Sequence, residues 1–335
     1  MSTVPTHAHK RRRKARRRWP RALFVTLIVI ALIIGAAIVI QKYRNNAVMT
    51  TAAEDTTQST PLGVEVSGRV GAIPVVNITQ TLNVTDVKRH VDTVGDGREI
   101  TEGSPVLVSV TAFDGSSGAI LSPDGRPQLT VGTASAEGLG PELAEAVIGH
   151  TEGSRIIYVR PVSQEARAEG ATSNIEIDVV DILYSVARGT AVDVSTGPLD
   201  VTLGAEGPVI RHGDEAPTQT TVQTLLRGDG QQVKADDRIV MQFIVTGWSD
   251  QIERDSTWRT GIPMVLRLDQ AMPGLRQAVV DQRVGSRLAI TIPADQATGD
   301  DILCVVVDLL GTEPAPEQTA DEAATSTDTS QAPAQ

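Results

Sequence analysis

The sequence predicts an α+β fold in two tandem copies, preceded by one membrane-spanning helix. Three observations support this prediction: an internal repeat, strands with alternating apolar residues, and one short helix with an apolar stripe in each copy. The 335 residues are enough for about two domains of ordinary size. Only 3% of them are aromatic, and Val, Ile, Thr and Gly are abundant, as is typical of short strands joined by tight turns.

The N-terminal segment predicts how the chain is placed in a membrane. Residues 10–21 are rich in Lys and Arg, and residues 22–40 carry no charge and are apolar except for Thr26. At about 1.5 Å per residue, a helix of this length spans a hydrocarbon core. The positive-inside rule places residues 1–21 in the cytoplasm and the domains that follow the span outside the cell membrane. A cleaved signal peptide is the alternative, which the length of the apolar run disfavours.

Charge is divided unequally along the chain. The first 45 residues hold eleven of the 30 basic residues and no acidic residue, so nineteen basic and 41 acidic residues remain, a balance of −22. An acidic region outside the membrane offers no basic surface to a polyanion. The sequence therefore argues against nucleic acid as a partner.

The sequence offers little support for a metal or cofactor site. Cys304 is the single cysteine, so it forms no internal disulfide and no Cys-based metal site, and its apolar surroundings predict a buried thiol. None of the five His residues has a second His or a carboxylate at metal-ligand spacing. We therefore expect neither a metal nor a cofactor. The anchor and the lack of disulfides favour a bacterial protein.

An internal repeat organises the region after the anchor. GDG, GSR and VVD(I/L)L occur twice in the same order, at offsets of 133, 132 and 127 residues. The repeat and the composition predict seven segments: a basic cytoplasmic segment 1–21, a transmembrane helix 22–40, a flexible stalk 41–62, domain 1 at 63–186, a linker 187–194, domain 2 at 195–311, and a disordered acidic tail 312–335.

Apolar periodicity predicts the elements within each copy. Alternate residues of one strand in the second copy share a face, namely Ile239, Met241, Phe243 and Val245. Each copy also has a short helix that begins at a Pro and carries one apolar stripe, formed by Leu143, Ala146 and Val147 or by Leu275, Ala278 and Val279. An antiparallel sheet covered on one face by a single helix is an α+β arrangement.

The order of motifs in the second copy resembles that of the FKBP-type peptidyl-prolyl isomerase domain. The segments that carry the resemblance are QFIVTG (242–247), RDSTWRTGIP (254–263), QAMPGL (270–275), VGSR (284–287), IPADQATG (292–299) and CVVVDLL (304–310). The resemblance covers residues 223–310 well and residues 92–183 loosely. No single motif is very specific, but their order and spacing are.

This resemblance implies a hollow between sheet and helix that accepts a proline ring and works without a nucleophile. An apolar hollow desolvates the X–Pro amide and favours the twisted bond. Carried over by position, catalytic roles fall to Asp255 and Phe243. Seven further residues would form the substrate pocket: Trp258, Met264, Ala271, Met272, Leu275, Thr298 and Val305.

Several positions depart from the pattern of the resembled family. Arg254 replaces a Phe, and Leu275 replaces the Trp of the pocket floor. In the first copy, Ser122 falls near the Asp position and Leu143 again takes the Trp position. The sequence thus predicts a membrane-anchored isomerase or foldase for proline-containing polypeptides, with the second copy the better candidate. The alternatives are a non-catalytic peptide-binding, chaperone or scaffold module with degenerate pockets, and an adhesive β domain.

Overall fold

Two large antiparallel sheets, each accompanied by a two-stranded hairpin and one short α-helix, make up most of the described part of the chain. The computed structural model describes residues 62–122, 125–162, 173–193 and 197–314. The predicted cytoplasmic segment, the predicted span and nearly all of the stalk lie outside these residues, as does the tail from residue 315. Within the described ranges, no helix combines the length and apolar character needed to cross a membrane.

The first copy consists of a hairpin, a five-stranded sheet and a helix. Its elements are β1 (Val64–Ser67), β2 (Val75–Ile78), β3 (Lys88–Thr93), β4 (Pro105–Asp114), β5 (Gln128–Thr133), α1 (Pro141–Val147), β6 (Arg155–Pro161) and β7 (Ile175–Leu183). Strands β1 and β2 pair with each other, and the sheet order is β3-β6-β7-β4-β5 with all neighbours antiparallel.

The second copy repeats this plan with a longer sheet edge. Its elements are β8 (Thr190–Ala191), β9 (Leu199–Gly204), β10 (Gly207–His212), β11 (Thr221–Arg227), β12 (Asp237–Gly247), β13 (Glu253–Ser256), β14 (Met264–Arg267), α2 (Pro273–Val279), β15 (Arg287–Ile292) and β16 (Leu303–Pro314). Strands β9 and β10 form the hairpin. The sheet order is β13-β12-β16-β15-β11-β8, and β14 also pairs with β12.

Each sheet is covered on both faces, by the helix on one and by the hairpin on the other. In the second copy, Met241 and Phe243 point toward α2, whereas Cys304 and Val306 lie beneath Ile210 of the hairpin. Sequence periodicity predicted that one face of each sheet packs against a helix, and the apolar stripes of both helices are confirmed as buried. It did not predict that a hairpin covers the opposite face. Alternation along a strand turns every second apolar residue to that face, so both faces need a cover.

The single cysteine is buried, as predicted. Cys304 is 0% exposed and belongs to the cluster between the second sheet and its hairpin. Burial raises the pKa of its thiol to about 11, because desolvation disfavours the charged thiolate. The group therefore stays protonated at neutral pH and packs as a small apolar side chain.

Two predicted boundaries shift in the structure. The sequence predicts a linker at residues 187–194, yet Thr190–Ala191 form strand β8 and pair with β11 of the second sheet. It also predicts a disordered tail from residue 312, yet β16 continues to Pro314. In both places backbone pairing extends the sheet through residues whose composition did not predict a strand.

The repeated GDG and GSR motifs pack against each other in both copies. The amide of Gly95 donates to the Ser154 hydroxyl at 3.0 Å, and the amide of Gly228 donates to the Ser286 hydroxyl at 2.9 Å. A Cβ atom on Gly228 would collide with the carbonyl oxygen of Val284. The glycines are therefore required because two backbone segments meet there with no room for a side chain.

We expect Gly228→Ala to destabilise the second copy by about 1–3 kcal/mol, because the neighbouring atoms are backbone and cannot move aside. Urea denaturation followed by Trp fluorescence measures this, since both described Trp residues lie in the second copy. The matched control is Gly213→Ala, where a Cβ atom meets nothing within 4 Å. A loss of stability no larger than that of the control would contradict the packing argument.

A buried ion pair lies at the centre of each sheet. Arg287 donates from Nε and Nη2 to the two oxygens of Asp308, both at 2.6 Å, and Arg155 and Asp181 form the same bidentate pair in the first copy. Asp308 also accepts the amide of Ala187 at 2.8 Å, which ties the segment between the copies to the second sheet. The repeated GSR and VVD(I/L)L motifs thus supply the two partners of each pair.

Candidate functional site

An apolar cavity of about 790 Å³ lies between the second sheet and the start of α2. Strands β12, β14 and β16 and the beginning of the helix supply its walls. The apolar residues that line it are Met241, Phe243, Val245, Met264, Leu266, Ala271, Met272, Leu275, Leu303, Val305 and Val307. This size and lining are typical of a site for a small ligand or a peptide side chain.

Strand register explains why these side chains converge. In β12 and β16, Phe243 is paired with Val307 and Val245 with Val305, while Met241 is paired with Met264 of β14. Directly opposed residues of antiparallel strands place their side chains on the same face. The alternate residues of β12 therefore form one continuous wall with the residues of its two neighbours.

The mouth of the cavity is polar, with three Asp residues and one Arg. The polar side chains that line it are Ser249, Arg254, Asp255, Gln270, Thr298, Asp300 and Asp301. Asp255 is paired with Val245, so it lies on the cavity face. The register shifts after this pair, because Glu253 rather than Arg254 pairs with Thr246. Arg254 is thus the extra residue of a bulge and also reaches the mouth.

A hydrogen-bonded network fixes one side of the mouth. Arg254 donates to Asp250 at 2.8 Å and to Asp301 at 3.2 Å, and the Ser249 hydroxyl donates to Asp301 at 2.8 Å. The Ile252 amide and Arg254 hold the pKa of Asp250 below its usual range. Partial burial raises the pKa of Asp301, but hydrogen bonds from Ser249 and Arg254 outweigh it and lower the pKa overall. Both carboxylates are therefore ionised at neutral pH.

The structure brings together eight of the nine site residues predicted from sequence. These eight line the cavity: Phe243, Asp255, Met264, Ala271, Met272, Leu275, Thr298 and Val305. Sequence reasoning missed other wall and mouth residues, among them Val245, Leu303 and Asp301. Alternation from Phe243 would have indicated Val245, but no sequence signal indicated Asp301, because its position depends on a contact with a distant loop.

Trp258 is the predicted site residue that does not line the cavity. Its indole lies against Gly207 at the hairpin turn, and the Arg287 guanidinium lies 5.6 Å from the ring centroid. Trp248 also contacts the hairpin, since its ring stacks on His212 with centroids 3.9 Å apart. Both Trp residues therefore fasten the loop to the hairpin, on the face of the sheet opposite to the cavity. Of the charged residues between them, Arg254 and Asp255 line the cavity.

The first copy has charged residues at the corresponding place. Strand register shows which residues of the two copies take equivalent positions on the face that packs against the helix. Tyr158, Arg160, Glu176 and Asp178 of the first copy correspond to Ile290, Ile292, Leu303 and Val305 of the second copy, in that order. In the second copy this region includes two cavity wall residues, and in the first copy it contains an ion network.

The ion network makes this part of the first copy unsuited to an apolar ring. Arg160 donates to Asp178 at 2.7 Å and to Glu176 at 2.6 Å. Burial, together with the neighbouring Asp178, raises the pKa of Glu176 to about 7. A proline ring placed there would displace water from charged groups without replacing its hydrogen bonds. The second copy is therefore the better candidate for a proline pocket.

Ser122 of the first copy lies near the strand position that Asp255 faces in the second copy. Ala112 is paired with Asp178 as Val245 is paired with Val305, so Ala112 corresponds to Val245 by strand register. The Ala112 amide donates to the Ser122 hydroxyl at 3.0 Å, whereas Val245 is paired with Asp255. The Ser122 hydroxyl thus closes the loop of the first copy onto β4.

Comparison with known proteins finds a matching family for the second copy. The family described as "FKBP-type peptidyl-prolyl cis-trans isomerase" matches residues 229–313, which include most of the cavity walls. An FK506-binding protein from Streptomyces anulatus is 30% identical over 90 residues, which cover 26% of this chain and 73% of that protein.

In the described residues, no group of three or more His, Cys, Asp or Glu could hold a metal ion.

Solved structures of similar proteins have low overall TM-scores. FkpA from Escherichia coli is 24% identical, with a TM-score of 0.28, and the match covers 35% of this chain and 53% of FkpA. The three FKBP domains of wheat FKBP73 are 15% identical, with a TM-score of 0.25, and cover 68% of this chain and 94% of that one. The chain thus spans about half the length of FkpA, and its family assignment rests on the sequence matches.

The fold and the site together define a sheet-and-helix domain with an apolar hollow and a polar mouth. The chain belongs to the FKBP-type peptidyl-prolyl cis–trans isomerase family.

Proposed function

We propose that the second copy binds proline-containing segments of polypeptides in its cavity and catalyses their cis–trans isomerisation. The observation that carries this proposal is the apolar cavity with Asp255 at its mouth, within the region that matches the family. Strands β12, β14 and β16 supply one continuous apolar wall, and Leu275 at the start of the helix also lines the cavity. Such a hollow fits a compact apolar ring better than an extended charged chain.

The chemistry needs no nucleophile. Rotation about a peptide bond has a barrier of about 18–20 kcal/mol, because resonance gives the bond partial double-bond character. The resonance form that resists rotation is charge-separated, so apolar walls such as Phe243 and Val305 disfavour it relative to the twisted amide. Asp255 at the mouth accepts a hydrogen bond from the peptide and orients it.

We further propose that the protein acts outside the cell membrane, anchored by residues 22–40. This placement rests on the apolar run and on the basic residues that precede it. After position 45 the chain has 19 basic and 41 acidic residues, so this region is acidic. Anionic lipid headgroups would repel it, which fits a region that acts at a distance from the cytoplasmic lipid surface.

For the first copy we propose a non-catalytic role. The ion network of Arg160, Glu176 and Asp178 replaces part of the apolar wall. Its sheet shares an apolar cluster with the second sheet, formed by Leu107, Leu183, Val240 and Leu310. The first copy therefore supports the second and positions it relative to the stalk.

A second candidate function is peptide binding without catalysis, as in a chaperone. It is favoured by the replacement of aromatic pocket residues of the resembled family by Leu275, Thr298 and Val305. An aliphatic hollow still binds an apolar ring, but it holds the amide less rigidly.

A protease-coupled assay with a chromogenic tetrapeptide containing Leu-Pro tests the first candidate. We expect the full chain in detergent to accelerate isomerisation, and Asp255→Ala to lower kcat/KM by roughly tenfold. The matched control is Asp236→Ala, since Asp236 is also exposed but does not line the cavity. A folded chain that leaves the rate at background, yet binds a fluorescent form of the peptide, would favour the second candidate.

A further inference from the structure

Three of the five methionines of the chain meet at one place. Met241, Met264 and Met272 all line the cavity, whereas Met1 and Met49 lie outside the described residues. Met241 and Met264 are directly opposed on neighbouring strands, and Met272 immediately precedes α2. The walls of the cavity are thus rich in flexible thioethers.

The three methionines differ in their access to solvent. Met241 is 2% exposed and belongs to the core. Met264 and Met272 are only half-buried and pack against the outside of the core cluster. The thioether is not protonated at neutral pH, so access decides which sulfur a dissolved oxidant reaches. Met264 and Met272 are therefore the reactive pair.

The remaining sulfur of the described chain does not compete for an oxidant. Cys304 is 0% exposed, and its thiol remains protonated at neutral pH because burial raises its pKa to about 11. Oxidation of cysteine proceeds through the thiolate, so a buried thiol reacts slowly.

We propose that Met264 and Met272 form an oxidation-sensitive modification site for hydroperoxides, and that their conversion to sulfoxides weakens ligand binding in the cavity. The thioether sulfur attacks one oxygen of hydrogen peroxide, forming an S–O bond while the O–O bond breaks. Sulfur loses two electrons, the peroxide is reduced, and proton transfer gives one sulfoxide and one water.

Oxidation changes the polarity of the cavity without changing its fold. Each sulfoxide places a strong hydrogen-bond acceptor among apolar neighbours such as Phe243 and Leu275. An apolar ligand that enters must then desolvate this oxygen without giving it a partner. We expect the affinity for a proline peptide to fall by roughly tenfold. This expectation on binding rests on the function proposed above.

The experiment treats the full chain in detergent with hydrogen peroxide and measures two quantities. Peptide mapping by mass spectrometry gives the extent of oxidation at each methionine, and fluorescence anisotropy gives the affinity for a labelled Leu-Pro tetrapeptide. We expect Met264 and Met272 to be oxidised before Met241, and the affinity to fall as they are oxidised.

The matched control is the double variant Met264→Leu, Met272→Leu, which keeps apolar volume and removes both sulfurs. The affinity of this variant for the labelled peptide is measured before and after peroxide treatment. We expect the two values to be equal. The proposal would be overturned if Met264 and Met272 were oxidised no faster than Met241. It would also be overturned if peroxide lowered the peptide affinity of the unsubstituted chain and of the double variant equally. If the untreated chain binds no proline peptide, the proposed function fails, whereas the oxidation map still decides whether the site is reactive.

Discussion

Replacing Asp308 by Asn is expected to cost the second copy about 3–5 kcal/mol of unfolding free energy, the largest effect on stability that we predict. Asp308 is 0% exposed and receives two hydrogen bonds from Arg287, which is itself only 6% exposed. Without the carboxylate, the guanidinium keeps its charge in a site that has excluded water. The amide of Ala187 also loses a charged acceptor.

Urea denaturation of the full chain, followed by Trp fluorescence, measures this effect. The control is Asp229→Asn, because the Asp229 side chain is 89% exposed in its ion pair with Arg69, and such pairs contribute at most about 1 kcal/mol. Equal losses in the two variants would refute the role of burial. The double variant Arg287→Met, Asp308→Leu should recover much of the loss, since it removes the unpaired charge.

Ala271→Trp is expected to abolish most ligand binding while leaving the fold intact. Ala271 is a half-buried residue of the cavity wall, and it has an extended backbone just before α2. An indole at this position enters the existing cavity and does not displace core side chains. We expect peptide affinity and kcat/KM to fall at least about tenfold, with a change in unfolding free energy below about 1 kcal/mol.

The same binding and isomerase assays measure this variant, and fluorescence reports where the new indole lies. A blue-shifted emission is expected, because the added ring leaves water. The control is Ala205→Trp, which adds an exposed indole at the turn between β9 and β10. A variant with blue-shifted emission and full activity would show that catalysis does not use this cavity.

Local periodicity predicted most of the fold. Alternation placed Met241 and Phe243 on the helix side, and the stripe of Leu275 and Val279 is buried against them. These features depend on neighbours in sequence, so the pattern suffices. The hairpin covers were not predicted, because a short strand pair shows only an apolar run and does not reveal which face it covers.

Most of the candidate site could be predicted from position in the resembled motifs. Asp255 lies on the cavity face because it is paired with Val245, and motif order placed it there. Motif order also predicts Trp258 in this wall, but Trp258 does not line the cavity. The loop leaves the strand after Ser256, and contact with Gly207 then draws the indole to the opposite face. Nothing local in the sequence specifies that contact.

By itself, the sequence determined the repeat, the strand and helix faces, the family and a cavity lined by apolar side chains in the second copy. Only the tertiary structure decided which further side chains line that cavity, and that an ion network lies at the corresponding place in the first copy. Arg160 and Glu176 meet across two strands, just as Ile292 and Leu303 do, and strand register alone makes them neighbours. Local pattern follows from the geometry of one strand, whereas contacts between strands depend on how distant segments pair.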